Sequence, residues 1–330
     1  MSKASLLALI IFLNANPEAI SKKNDDEKEE ATKIENIESI IDNIVSSYEV
    51  SEEDFEKVNP LENLKIEDED FFLRGNREII EKYEIKVEQK FIEIGQEKFL
   101  INILSKEGPN NQKYFICHDS EDASFDTAIR AIKNGGEVIS LGNDENRFLF
   151  NYNEPKGLTN QDPNRMFSEN NPYWPMAEKV LDLLESENKE MIIALHNNSP
   201  HGNFHLDNIK NWRNISIISE EDPNKKSLIW IPGLERNPSD ELLEEIEYYK
   251  KNGLNVVYEY VPENQEGDGS FSVWAAKNNI PYRNIEIMAA IKGNEASEKK
   301  ALEDQQRYLQ VLKDYHNIDK SKDAYALKTN

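Results

Sequence analysis

A chain of 330 residues with 38% hydrophobic content has enough apolar material for a substantial core, in one large domain or two small ones, and is not disordered as a whole. Its 39 basic and 63 acidic residues leave a formal net charge of −24, a field that repels phosphate backbones and anionic lipid surfaces and argues against nucleic acid as a partner. The single cysteine, Cys117, excludes an intramolecular disulfide and a thiolate cage, so a metal is expected to be held by carboxylates and by histidines from the five at 118, 196, 201, 205 and 316.

The N-terminus reads MSKASLLALIIFLNANPEA: Lys3, an apolar run from Ala4 to Leu13, then small residues at Ala15 and Ala19. The run is about half of the ~20 residues a bilayer span needs and suits a secretory signal peptide; the alternative is a buried N-terminal helix. Residues 1–20 are therefore expected to be removed, leaving a periplasmic or secreted protein with no stable membrane insertion. Residues 21–85 are dense in charge, with NDDEKEE at 24–30, and read as a polar acidic linker followed by one peripheral amphipathic helix in IENIESIIDNIVSSY. Residues 86–330 hold the remaining patterns.

KFIEIG and EKFLINILS flank a Gly95-Gln96 turn and predict a hairpin. Further strands are expected in KYFIC (113–117), EVISL (137–141), RFLFNY (147–152), MIIALH (191–196), ISIIS (215–219), SLIWIPG (227–233), NVVYEYV (255–261) and YRNIEIM (282–288). Helical patterns fall at about 124–134, 174–187, 238–252, 269–278 and 292–315. Continuous apolar strands bracketed by helices predict an α/β fold with a mixed, largely parallel sheet covered on both faces, where ligands gather beyond the carboxyl ends of the strands.

Four features of these elements carry chemistry. His118 and Glu121 form H-x-x-E at the exit of KYFIC, and MIIALH ends in His196 at the same edge of the sheet. Each alone is an ordinary polar strand end; together, two histidines and one carboxylate with an open fourth position form a ligand set of catalytic zinc. In DPNRMF (162–167), Asn164 and Arg165 either form a bare turn or offer a guanidinium that can grip a substrate carboxylate bidentately. Glu286 lies between Ile285 and Ile287, where an ionised group is costly unless it faces a polar cleft, as a general base does.

In this order the motifs resemble the zinc carboxypeptidases of the carboxypeptidase A type, and especially their short bacterial secreted relatives. The chain is similar to these in its strand-ending H-D-x-E, in DPNRMF, in ALHNN and in GSFSVWAAKNNIPYRNIE (269–286), over roughly residues 95–290. The resemblance implies a zinc carboxypeptidase-like domain over 86–330 with His118, Glu121 and His196 as zinc ligands and Asp162 orienting the first histidine. It also implies Asn164 and Arg165 on a terminal carboxylate and Glu286 as the group that activates water and protonates the leaving amine. Arg147 matches by position the arginine that stabilises the oxyanion, or is a surface residue at a strand start. Glu259 in NVVYEYV is a rival for the base, and His201 and His205 in SPHGNFHL are rival ligands, though more in keeping with loop residues beside Pro200 and Gly202. Tyr258 and Tyr260 read as core, and His316 as solvated on a polar helix.

The implied activity is zinc-dependent hydrolysis of an amide bond beside a terminal carboxylate, on cell-wall or other extracytoplasmic peptides. The same groups also suit an N-acyl amino acid deacylase of the aspartoacylase-like branch. An exported protein that binds zinc or peptide without turnover is the third reading.

Overall fold

The computed structural model describes residues 56–58, 61, 64, 69–94, 97–142, 147, 149–151, 158–185, 190–212, 214–264 and 267–326. The expected signal peptide, the amphipathic helix at 34–48 and the Gly95-Gln96 turn lie outside these residues.

The two apolar runs on either side of that turn form the antiparallel pair β2 (Lys86–Ile94) and β3 (Glu97–Lys106), with Ile94 opposite Glu97. The remaining apolar runs become β4 (Lys113–Ile116), β5 (Gly136–Gly142), β8 (Ile192–Asn198), β9 (Ile215–Glu220), β10 (Leu228–Gly233), β11 (Asn255–Tyr260) and β12 (Tyr282–Met288). With β1 (Glu56–Val58) they build one ten-stranded sheet in the order β1-β2-β3-β5-β4-β8-β12-β10-β11-β9. Its centre, β5-β4-β8-β12, is parallel, and both flanks include antiparallel pairs, so the sheet is mixed; β2, β5, β4, β8, β12 and β9 point one way. One expected strand departs from the sheet. RFLFNY supplies β6 (Leu149–Asn151), which pairs only with β7 (Leu158–Gln161) in a separate two-stranded ribbon.

Side chains alternate across the strands, and each face of the sheet buries its own apolar layer. On one face Tyr114, Ile116, Ile193, Leu195, Ile285 and Ile287 pack under α1 (Asn76–Lys82), α2 (Asp122–Ala131), α5 (Asp240–Lys251) and α7 (Glu295–Ala326). On the other, Phe115, Ile192, Ala194 and Tyr282 pack under α3 (Trp174–Leu184) and α6 (Phe271–Lys277), while Leu228, Trp230 and Val257 meet the short α4 (Leu206–Ile209). The polar segment ahead of residue 86 contributes to this core: Leu61, Phe71 and Ile80 are buried in the layer that holds α2.

A buried ion pair ties α5 to the sheet. Arg283 of β12 donates to both oxygens of Glu245, at 2.7 and 2.6 Å, and Tyr249 donates to Oε1 of the same carboxylate at 2.6 Å. His316, expected to be solvated, is only partly exposed, 3.6 Å from this carboxylate, because α7 lies across the sheet with one face covered. Tyr258 is buried as expected, its hydroxyl donating to the Glu235 carbonyl.

Candidate functional site

Three consecutive strands, β4, β8 and β12, end at one edge and deliver the motif residues there. His118 follows β4 by two residues, and His196 and Glu286 face each other in the parallel register of β8 and β12. The Glu121 carboxylate lies between the two imidazoles: Oε1 is 2.9 Å from His118 Nδ1 and Oε2 is 3.2 Å from His196 Nδ1. All three side chains are buried. His118 Nε2 meets Asp162 Oδ1 at 2.8 Å, which fixes the ring so that Nδ1 faces Glu121.

The loop that supplies Asp162 is built by local rules. Asp162 caps the short 3-10 turn Pro163–Arg165, accepting from the Asn164 amide at 2.9 Å, with proline at the first position of the turn, where no amide proton is needed. Asn164 Oδ1 in turn accepts from the Phe271 amide at 3.1 Å, at the start of α6, whose cap is Ser270. Gly269 (φ 79°) must be glycine here, since a Cβ would overlap the Arg165 carbonyl. DPNRMF and GSFSVW, about a hundred residues apart, are therefore two halves of one packed junction. Arg165 reaches out from it, 44% exposed, 3.9 Å from Asp268.

A cleft of about 240 Å³ opens over this edge and is lined by His118, Arg147, Asp162, Asn164, Arg165, His196 and Glu286, with Glu259 further along it. Arg147 donates to Glu121 Oε1 at 2.9 Å, so it sits at the site and is not a detached surface residue. Glu286 accepts from Asn284 Nδ2 at 3.0 Å. Glu259 accepts from the Trp230 indole at 2.8 Å. His201 and His205 lie in and beside the loop before α4 and do not line the cleft.

The electrostatics follow from burial and proximity. Burial alone would lower both imidazoles and raise Glu121. The Cys117 and Glu121 charges instead hold His118 and His196 well above the usual histidine value, and the two rings hold Glu121 far below the carboxylate range. Burial also opposes ionisation of Asp162, yet the hydrogen bond and charge of His118 bring it to about 2. Glu286 is pushed up by burial, with the Glu121 charge adding to the shift.

Donors held about 2.0–2.2 Å from a tetrahedral zinc lie roughly 3.2–3.6 Å apart. The His196–Glu121 separation of 3.2 Å meets this, while the His118–Glu121 separation of 2.9 Å is that of a hydrogen bond. Among the described residues buried Glu121 Oε2 has no hydrogen-bond partner, only His196 Nδ1 at 3.2 Å, and so is open to a cation. The donor types fit zinc, and the group with metal-ligand spacing is Cys117, His118 and His196.

The sequence reading missed Cys117. Its sulfur lies 3.4 Å from His118 Nδ1 and 3.6 Å from His196 Nε2, and Cys117, His118 and His196 form a buried cluster with metal-ligand spacing. Beside the expected histidine and carboxylate donors the structure sets this sulfur: extending the β4–β8 register puts Cys117 level with His196, on the face that Phe115 shares. The period of two from Phe115 was the available signal, as it was for Asn284 beside Glu286.

No family model and no curated protein matches the chain. Among solved structures it is similar to the succinylglutamate desuccinylase from Chromobacterium violaceum, at 13% identity over 67% of this chain and 66% of that one, with a TM-score of 0.36. It is also similar to thrombin activatable fibrinolysis inhibitor (12%, 72% and 75%, 0.41) and to a protein assigned as a carboxypeptidase from Burkholderia mallei (10%, 73% and 68%, 0.36). The chain thus spans just under two thirds of the desuccinylase. The fold is of the α/β class, and the functional reading rests on this chain's own residues and distances.

Proposed function

We propose that the protein is a zinc-dependent amide hydrolase that cleaves beside a terminal carboxylate, a metallocarboxypeptidase working on peptides outside the cytoplasm. The observation that carries this reading is the Glu121 carboxylate lying between His118 Nδ1 and His196 Nδ1, at 2.9 and 3.2 Å, beneath a cleft that Glu286 and Arg165 also line.

His118, Glu121 and His196 would hold the metal, and Asp162 orients His118. Zinc bound there would polarise a carbonyl and lower the pKa of water toward roughly 7. Glu286 accepts the proton of the attacking water on its carboxylate and returns it to the leaving nitrogen. Its raised pKa suits both transfers, and Asn284 holds it in place. Arg147 stabilises the developing oxyanion; one preorganised donor of this kind is worth about 3 kcal/mol. Asn164, whose Oδ1 is anchored on the Phe271 amide, keeps its Nδ2 for the substrate carboxylate beside Arg165. At about 240 Å³ the cleft suits one terminal residue.

The same cleft size admits an N-acyl amino acid, the substrate of the deacylase alternative, and the signal-like N-terminus favours the peptide. Two assays test the reading: metal content of wild type against His196→Ala, and hydrolysis of blocked dipeptides and N-acyl amino acids by wild type against Glu286→Gln. Wild-type protein that takes up no zinc, or a Glu286→Gln variant that hydrolyses at the wild-type rate, sinks it.

A further inference from the structure

Across the three strands that end at the metal edge, one row of side chains runs Cys117, His196, Glu286. Phe115 pairs with Ala194 and Glu286 with His196, so two more residues along the direction of β4 bring Cys117 level with both. The sulfur lies 3.4 Å from His118 Nδ1. It is 3.7 Å from Nδ1 and 3.6 Å from Nε2 of His196, so it keeps its spacing to whichever nitrogen of that ring binds. A sulfur about 2.3 Å and an imidazole nitrogen about 2.0–2.1 Å from a tetrahedral zinc stand roughly 3.5–3.6 Å apart. Cys117 is close to that value at both rings, whereas Glu121 reaches ligand spacing at His196 alone. All four side chains are buried. Glu121 Oε2, without a hydrogen-bond partner among the described residues, faces the same His196 Nδ1 from 3.2 Å. The ligand set implied by the resemblance holds no sulfur, and the chemistry proposed above uses none.

Sulfur changes what such a site prefers. A thiolate is a soft donor that favours zinc and other thiophilic ions, whereas carboxylate and water suit manganese and magnesium. We propose that Cys117 supplies a thiolate as a fourth protein ligand beside His118, Glu121 and His196, and that it makes the site select a thiophilic divalent ion. This goes beyond the function proposed above and rests on its reading of the two histidines as metal ligands. Binding forms one metal–sulfur bond and releases the thiol proton to solvent. Four protein donors leave the hydrolytic chemistry to a fifth position, an expansion that catalytic zinc sites allow. The structural alternative is a thiol that only fills space in the layer of Phe115 and Ala194 and makes weak hydrogen bonds to the rings. Such a thiol leaves no mark on the spectrum of a bound metal.

Cys117 is the only cysteine of the chain, so any thiolate-to-metal signal belongs to it. The metal-free full chain is titrated with cobalt(II), with bound metal measured by elemental analysis and the sulfur-to-cobalt charge-transfer absorption followed in the near ultraviolet. Wild type is expected to bind cobalt with that absorption, and Cys117→Ser to bind cobalt without it. In competition between cadmium(II) and manganese(II), wild type is expected to favour cadmium, and this preference to fall about 10–100-fold in Cys117→Ser. Cobalt bound to wild type without the absorption, or a cadmium preference unchanged in Cys117→Ser, overturns the proposal and leaves the reading of His118, Glu121 and His196 standing. Failure of wild type to bind cobalt at all overturns both. If Cys117→Ser does not fold by circular dichroism, Cys117→Ala takes its place, and the wild-type spectrum decides on its own.

Discussion

Glu286 and His196 are register partners on adjacent parallel strands, so their side chains leave the same face of the sheet at the same height. The proposed base and metal ligand are thus held by backbone pairing and not by loops, which is the rigidity a catalytic pair needs. Replacing Glu286 with glutamine keeps the shape and the strand. Hydrolysis is expected to fall about 10²–10⁴-fold with zinc content unchanged. Loss of metal along with activity would instead make Glu286 a structural part of the metal site.

Asp162 has two partners through one oxygen, His118 Nε2 and the Asn164 amide. Asp162→Asn leaves the turn capped but offers His118 a neutral acceptor. Zinc affinity, read by competition with a chromogenic chelator, is expected to weaken about 10–100-fold while thermal stability changes little. An unaltered affinity would remove Asp162 from the metal site.

Gly269 and Gly253 both have positive φ, 79° and 72°, but only Gly269 presses against another chain segment, the Arg165 carbonyl. Alanine at either position incurs backbone strain of about 1–3 kcal/mol. Only Gly269→Ala is also expected to push the Asn164–Arg165 turn away and raise KM. Melting curves and steady-state kinetics on the two variants separate strain from displacement, and equal KM values for both would show that the junction does not position the turn.

The Glu245–Arg283 pair sets an acid limb of stability. Burial would raise Glu245, but the Arg283 guanidinium outweighs it and holds the carboxyl far below the usual range. A depressed folded-state pKa means that the unfolded chain binds more protons at acid pH. The stabilisation is therefore full above the unfolded value of about 4.3 and is lost as pH falls toward the folded one. Glu245→Ala leaves Arg283 without its partner and is expected to cost about 3–5 kcal/mol at pH 7, with the gap from wild type narrowing below about pH 4. Urea unfolding at several pH values checks this; a gap that does not depend on pH contradicts it.

The central strands were legible because each is an uninterrupted apolar run, the signature of a strand covered on both faces; MIIALH and YRNIEIM need no partner to be recognised. RFLFNY carries the same signature and leaves the main sheet, since periodicity says that a strand forms but not which neighbour accepts it. Residues 69–82 fall in the stretch 21–85 that reads as polar linker and peripheral helix because charge dominates its composition, yet Phe71 and Ile80 are buried in the core and Arg74 and Asn76 bond to Asp126 of α2.

The site divides in the same way. Residue types and motif order by themselves pointed to the histidines, carboxylates and arginines that the sheet brings to one edge, because those identities are written along the chain. Only the tertiary structure decided that Cys117 lies against both imidazoles, that Arg147 reaches Glu121, and that Glu259 lies in the cleft beside Trp230. Each of these depends on distance between residues remote in sequence. Such distance is set by strand order and register, and those are the outcome of how the whole sheet buries its two faces.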